Sequence, residues 1–211
     1  AHTHSIKLCT GICLVPQRNP IYTAKQVADL DYLSNGRVEF GIGIGWLKEE
    51  FEALGVPWED RAGRTKECIE VMQTLWCDEV SQYKGKYFEL KAAYQNPKPV
   101  QKPHPPLLFG GESSPALERV ATQGQGWYGF NLTPQSFEEH LKSLDKKLSS
   151  HGRQLSDLKI YISPHGDSKS KADIAAFKSL GADQIVLPLM DRDTEKLKER
   201  AERILDLVSG C

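Results

Sequence analysis

The chain has 211 residues, 39% of them hydrophobic and 26% charged, which is enough for a proper buried core. Its net charge of −1, with acidic and basic residues interspersed, excludes a nucleic-acid footprint and a polyanionic partner. No run of about 18 apolar residues exists, so no segment is expected to cross a membrane.

The opening AHTHSIKLCTG has no initiator Met, which implies a processed, tagged or truncated start, and it lacks the basic and apolar regions of a signal peptide. Cys9, Cys13, Cys68, Cys77 and Cys211 form an odd, scattered set without a CxxC pair. That argues against a disulfide framework or a metal site and for the cytoplasm.

In chain order, SIKLCTGICLV (5–15) reads as a strand, followed by a helix over NPIYTAKQVADLDYLSNG (19–36). Asn19 is its N-cap with Pro20 at the first helical position, Ile21, Ala24, Val27, Ala28 and Leu30 fit a helical period, and Gly36 stops it. RVEFGIGIGW (37–46) is a second strand. A helix from about Arg61 carries Cys68, Val71, Met72 and Leu75 on one face. SQYKGKYFEL (81–90) is a surface hairpin turning near Lys84-Gly85, and NPKPVQKPHPP (96–106) is a proline-rich connector leading to the strand LLFGG (107–111).

The remainder alternates in the same way. Helices are expected over 115–124, 134–152, 171–181 and 194–208, with strands WYGFN (127–131), LKIYISP (158–164) and DQIVLPLM (183–190) between them. Six strand-then-helix units with strands apolar on both faces predict a parallel sheet covered by helices, within a single domain over 1–211. A closed (β/α) barrel and an open doubly wound sheet both fit that pattern.

GIGIG (41–45) places three glycines at alternate positions where a strand ends. A nucleotide fingerprint needs GxGxxG running into a helix, which this spacing does not give. Two readings remain: small residues that let a neighbouring strand pack close, and a pocket floor where a flat ligand meets backbone. The recurrence of glycines in LLFGGESS, followed by Ser113, Ser114 and a helix opened by Pro115, favours the pocket, because a helix start with serine hydroxyls suits a phosphate.

PQRNP, the AKQ helix, LSNGR, the GxGxGW strand end, EEFEALG and NPKPVQKPHPPLLFGG together resemble the luciferase-like monooxygenase superfamily. They are most similar to its branch of oxidoreductases that use the deazaflavin coenzyme F420. The resemblance covers essentially the whole chain, most densely to Gly126. It implies a TIM-type (β/α)8 barrel with FMN or the deazaflavin at the carboxyl ends of the strands. Laid on that plan, SIKLCTGICLV resembles the third strand and DQIVLPLM the eighth, which leaves six β/α units (strands 3–8) plus the hairpin. Such a chain is expected to be either a fragment or an open barrel closed by a partner, and exposed strand edges predict self-association there.

The resemblance also implies site residues. Gly11 to Val15 corresponds to a segment that often holds a non-proline cis peptide behind the ring, with Cys13-Leu14 as the counterpart. Ile44, Gly45 and Trp46 fall at the second ring-contacting strand end. FMN-using luciferases carry a phosphate-binding arginine near Ile44, so isoleucine there favours F420 over FMN. An acidic or amide position falls on Glu49 or Glu50, whose alternative role is to complement a helix dipole. Gly110, Gly111 and Ser113 resemble the phosphate-contacting turn, from which Glu112 is expected to point away or pair with a base.

His165, at a strand end, is the candidate acid or base. His104 is expected to be structural, and His2, His4, His140 and His151 to lie on the surface. Trp127 and Tyr128 line either pocket or core. The implied activity is hydride transfer between F420 and a small organic substrate. The rivals are an FMN-dependent monooxygenase fed by a separate flavin reductase, and a non-catalytic flavin-binding remnant.

Overall fold

Parallel strands alternating with helices organise the computed structural model, which describes residues 2–209; Cys211 lies outside the described residues. The chain divides into two compact units, residues 1–107 and 108–211.

In the first unit, β1 (Leu8–Cys9) and β2 (Cys13–Leu14) both run parallel to β3 (Val38–Gly43), with Leu8 opposite Val38 and Cys13 opposite Ile42. The expected single strand over 5–15 is thus two short pieces. The chain between them turns through a cis Gly11–Ile12 bond, so the cis peptide expected at Cys13-Leu14 lies two residues earlier. All six residues of β3 are buried, as a strand apolar on both faces requires.

Helix α1 (Pro20–Leu33) starts where its cap dictates, with Asn19 Oδ1 accepting from the Ile21 and Tyr22 amides. Its buried face is Pro20, Thr23, Ala24, Val27, Ala28 and Asp31; Ile21 and Leu30, assigned to it by periodicity, are exposed. The polar Asp31 occupies the buried face because the connector supplies its partners. Its carboxylate accepts from the Gln101 backbone N–H at 3.0 Å and the Gln101 side-chain amide at 2.8 Å.

A short helix, α2 (Lys48–Ala53), precedes α3 (Arg61–Cys77), which buries Cys68, Val71, Met72 and Leu75 as expected. Trp76 on α3 donates its indole N–H to the Ala24 carbonyl, fixing α3 against α1. The hairpin of β4 (Ser81–Lys84) and β5 (Glu89–Ala93) is held to α3 by two carboxylates, Glu70, which accepts from the Tyr83 hydroxyl at 2.6 Å, and Glu67. Glu67 accepts the backbone N–H groups of Lys86, Tyr87 and Phe88.

The second unit aligns β6 (Leu107–Gly110), β7 (Gly126–Leu132), β8 (Lys159–Pro164) and β9 (Gln184–Ile185) in parallel and in that order. Strand β9 is shorter than the DQIVLPLM run suggests; Pro188 has no N–H to give a ladder. Helices α4 (Ser114–Gln123), α5 (Pro134–Ser150), α6 (Lys171–Ser179) and α7 (Thr194–Val208) follow the strands in turn. Ser113, Thr133, Ser170 and Asp193 cap them. Trp127 stacks on Phe137 with ring centroids 5.7 Å apart, and Phe137 meets Phe177 edge-on, giving an aromatic core shared by β7, α5 and α6. Helix α7 buries none of its residues. No helix among the described residues is long and apolar enough to cross a membrane.

Candidate cofactor site

In the first unit the expected ring-contacting residues gather at the carboxyl end of β3. Leu14 lies opposite Gly43, Cys13 opposite Ile42, and Ile44, Gly45 and Trp46 continue directly from the strand. Ile44 is half-buried, whereas the Trp46 side chain is 83% exposed.

The glycines themselves do not form an open floor. A Cβ on Gly41 would stand 1.9 Å from the Thr10 carbonyl oxygen, and one on Gly43 2.1 Å from Ile12 Cδ1. A Cβ on Gly45, where φ is +80°, would stand 2.6 Å from the Phe51 ring. The close-packing reading of GIGIG therefore holds, and the pocket-floor reading is corrected. What these glycines admit is the protein's own backbone and side chains. Half-buried Ile12 and Leu14 fill the space that a side chain at Gly43 would take.

Gln17 belongs to this corner and was not signalled by any motif. Its amide nitrogen donates to Glu50 at 3.3 Å and lies 3.5 Å from the position of a Gly45 Cβ. Glu49 and Glu50 sit in the first turn of α2, the dipole-complementing position. Burial pushes the Cys13 thiol up, partly opposed by the Arg18 guanidinium, and pushes Cys68 up to about 12. Neither thiol is held as a nucleophilic thiolate.

In the second unit, Gly110 ends β6 opposite Tyr128, and Gly111 turns the chain with φ of +112°. Ser113 caps α4: its Oγ accepts from the Ala116 amide at 3.3 Å, and Pro115 stands in the first turn. The cap leaves the hydroxyl proton of Ser113 free to donate outward. Glu112 pairs with a backbone donor, accepting the Phe130 N–H at 2.7 Å, so its charge is directed to β7. Trp127 is fully buried and donates its indole N–H to the Gly111 carbonyl at 3.0 Å, so it supports the turn from the core side.

His165 follows β8, its backbone N–H bonded to the Leu132 carbonyl. It therefore shares the carboxyl ends of β6, β7 and β8 with the Gly110–Ser113 turn. The imidazole Nδ1 accepts from the Asp167 amide at 3.2 Å, which places the proton of the neutral ring on Nε2.

Among the other histidines, His104 is structural. It bonds Gln73 and the Pro105 carbonyl and packs on Trp76. His140 is half-buried with its ring edge toward Trp127 rather than free on the surface, and His151 pairs with Glu118 at 2.7 Å. Among the described residues no cluster of three or more histidine, cysteine or carboxylate side chains could hold a metal ion.

Comparison with known proteins places this arrangement in a class. Residues 1–184 match the model of the luciferase-like monooxygenases, and the chain belongs to that family. Its α/β fold is the barrel fold of the family: an F420-dependent secondary alcohol dehydrogenase, solved with an F420-acetone adduct, superposes with a TM-score of 0.80. That match covers 98% of this chain and 81% of the dehydrogenase at 18% identity.

The Mycobacterium tuberculosis (strain H37Rv) protein Rv0953c is 31% identical over 215 residues, covering 100% of this chain and 73% of that protein. An FMNH2-dependent dimethylsulfone monooxygenase of Pseudomonas putida is 33% identical over 134 residues, which are 62% of this chain and 36% of the monooxygenase. Both deazaflavin and flavin chemistry thus occur among proteins similar to this one.

Proposed function

We propose that this chain is an oxidoreductase that binds a deazaflavin of the F420 type and acts on a small organic substrate. The observation that carries the reading is Trp46, an indole 83% exposed at the carboxyl end of a fully buried parallel strand, in a chain of this family. An aromatic side chain left bare there costs hydrophobic burial and gives a stacking surface for a flat ring. When bound, the deazaflavin supplies two-electron hydride transfer.

The chain's own part is positional. Ile12, Cys13, Leu14 and Ile44 are half-buried near the end of β3, and Gly45 joins that end to Trp46. On the second unit, the Gly110–Gly111–Ser113 turn offers a hydroxyl donor and a helix start of the kind that binds phosphate. His165 presents a proton at Nε2 to a substrate oxygen. Ile44 brings no cation to a phosphate, which supports F420 over FMN.

The second reading, an FMN-dependent monooxygenase supplied by a flavin reductase, is favoured by the similarity to the Pseudomonas enzyme. The first unit self-associates in this reading. There β1 is paired on its β3 side and α1 leaves Tyr22 and Leu33 72% and 81% exposed. It also includes a cytoplasmic setting, in keeping with free Cys9, Cys13, Cys68 and Cys77.

Titrating F420 and FMN separately, with visible absorbance and thermal stability as readouts, tests the reading. F420 is expected to bind and raise Tm, and Trp46→Ala to weaken it about tenfold, the equivalent of ~1.4 kcal/mol. Binding of FMN alone with oxygen uptake would transfer the assignment to the second reading. Binding without turnover would mark a non-catalytic protein, and binding of neither cofactor would sink the redox assignment.

A further inference from the structure

We propose that the second unit carries a separate ligand site, a groove beside α7 that takes a small amphipathic oxyanion: a carboxylate or phosphate joined to an apolar body. The groove has a volume of about 340 Å³ and is lined by Lys169, Arg200 and Arg203 together with Leu187, Pro188, Ile204 and Leu207. That size is at the low end of the roughly 300–1,000 Å³ typical of small-molecule sites. Its composition is divided, with three cations over four apolar side chains and no carboxylate in the lining.

The electrostatics favour an anion. Three like charges line one concavity, so an anion held there interacts favourably with all of them. Asp191 stands 3.5 Å from Arg200 and offsets one of them. Arg203 uses only its Nε, on the Glu199 carbonyl, so its two terminal nitrogens meet no acceptor among the described residues. Lys169 has no hydrogen-bond or ion-pair partner among the described residues. A guanidinium fork and an ammonium together suit one oxyanion, the fork binding two of its oxygens and the ammonium supplying point charge.

The apolar half is equally unaccounted for. Helix α7 is strongly amphipathic in sequence yet buries nothing, and Ile204 and Leu207 line this groove with Leu187 and Pro188. An inorganic anion would leave that surface wet, and a neutral hydrocarbon would leave the cations without a partner. A polyanion is disfavoured because α7 also carries Glu195, Glu199, Glu202 and Asp206, which would repel a broad negative surface. The ligand that satisfies both halves is small, singly headed and apolar-tailed.

The site is read without flavin or turnover, so it stands or falls apart from the redox assignment. Sodium octanoate, octanol and inorganic phosphate are titrated separately into the full chain by calorimetry, with amide NMR shifts locating the site. Octanoate is expected to bind about tenfold or more tighter than either of the others, with shifts confined to Lys169, Leu187 and the 200–207 turns of α7. Arg203→Gln and Lys169→Gln should each weaken it several-fold, and added salt should weaken it further. Leu205→Ser, on the exposed face of α7, should leave it unchanged. Mapping on the unaltered chain keeps the test intact should a variant fold poorly.

Octanol or phosphate binding as tightly as octanoate would overturn the proposal. So would shifts outside the groove, or no octanoate binding. A second copy of the chain occupying the groove, seen as a dimer by sedimentation that Arg203→Gln disrupts, would overturn it as well.

Discussion

The two glycine-bearing strand ends, one in each unit, are near twins in sequence and different in structure. At the end of β3 and just past it, glycine is required because the space a side chain would take is already filled by Thr10, Ile12 and Phe51. After β6, Gly111 is required for its backbone: φ is +112°, and the nearest atom that a Cβ there would meet is the Ala116 methyl at 3.1 Å. At Gly41 and Gly43 the demand is one of packing, at Gly45 packing is joined by a φ of +80°, and at Gly111 the demand is one of conformation. A pattern of glycines at a strand end thus states that side chains are excluded without stating what excludes them.

That contrast can be broken most sharply at Gly41. A methyl there would meet the Thr10 carbonyl at 1.9 Å, and backbone cannot swing aside as a side chain does. Gly41→Ala is expected to cost about 3 kcal/mol or more, measured by denaturant unfolding. A cost near zero would mean that β1 and β3 are not packed as described.

Gly43→Ala meets the far end of a flexible side chain, Ile12 Cδ1, and is expected to cost less, about 1–2 kcal/mol. Ile12→Val removes that atom, so the double variant should be less destabilised than the sum of the singles by about 0.5 kcal/mol or more. Strict additivity would show that the two residues do not touch.

These contacts explain what was legible beforehand. Helix starts were readable because their signals are local: Asn19 before Pro20, and Ser113 two residues before Pro115, do in the structure what those residue types do at any helix start. The buried face of α3 was readable from its spacing. The strand-end positions of Ile44, Gly45, Trp46, Gly110, Gly111 and His165 followed from the alternation of strand and helix.

What escaped depends on partners distant in sequence. Ile12 over Gly43, Gln101 on Asp31, and Glu67 gathering three hairpin amides leave no periodic trace. Asp31, with those bonds, shares the buried face of α1, while Ile21 and Leu30 are exposed against their apparent period. The cis bond at Gly11–Ile12 rather than at Cys13-Leu14 shows that a family pattern fixed the segment but not the residue.

In the second unit the same comparison is sharpened by Ser113→Ala. The loss of the Ala116 N–H acceptor should cost about 1 kcal/mol, the usual worth of a helix N-cap. Ser113→Thr, which keeps the acceptor, should recover most of it. If the turn also binds phosphate, Ser113→Ala weakens cofactor beyond what its stability loss accounts for, and a matched cap variant at Thr133 does not.

The smallest expected effect is a pH dependence carried by surface charge on α4 and α5. Hydrogen bonds from His151 and then Lys147 hold the Glu118 carboxyl below the usual carboxylate range. A carboxylate whose folded pKa is depressed adds stability that is fully present above its unfolded pKa and is lost as pH falls through the folded one. The acid limb of the unfolding curve should therefore contain a component that Glu118→Gln removes, while stability near neutral pH changes little, because the group is exposed and screened.

The two units differ here only in partners. Asp60 in the first unit is likewise depressed, by its bonds to Tyr87 and then Lys86. Salt should flatten the acid-limb contributions of both carboxylates, because both are exposed.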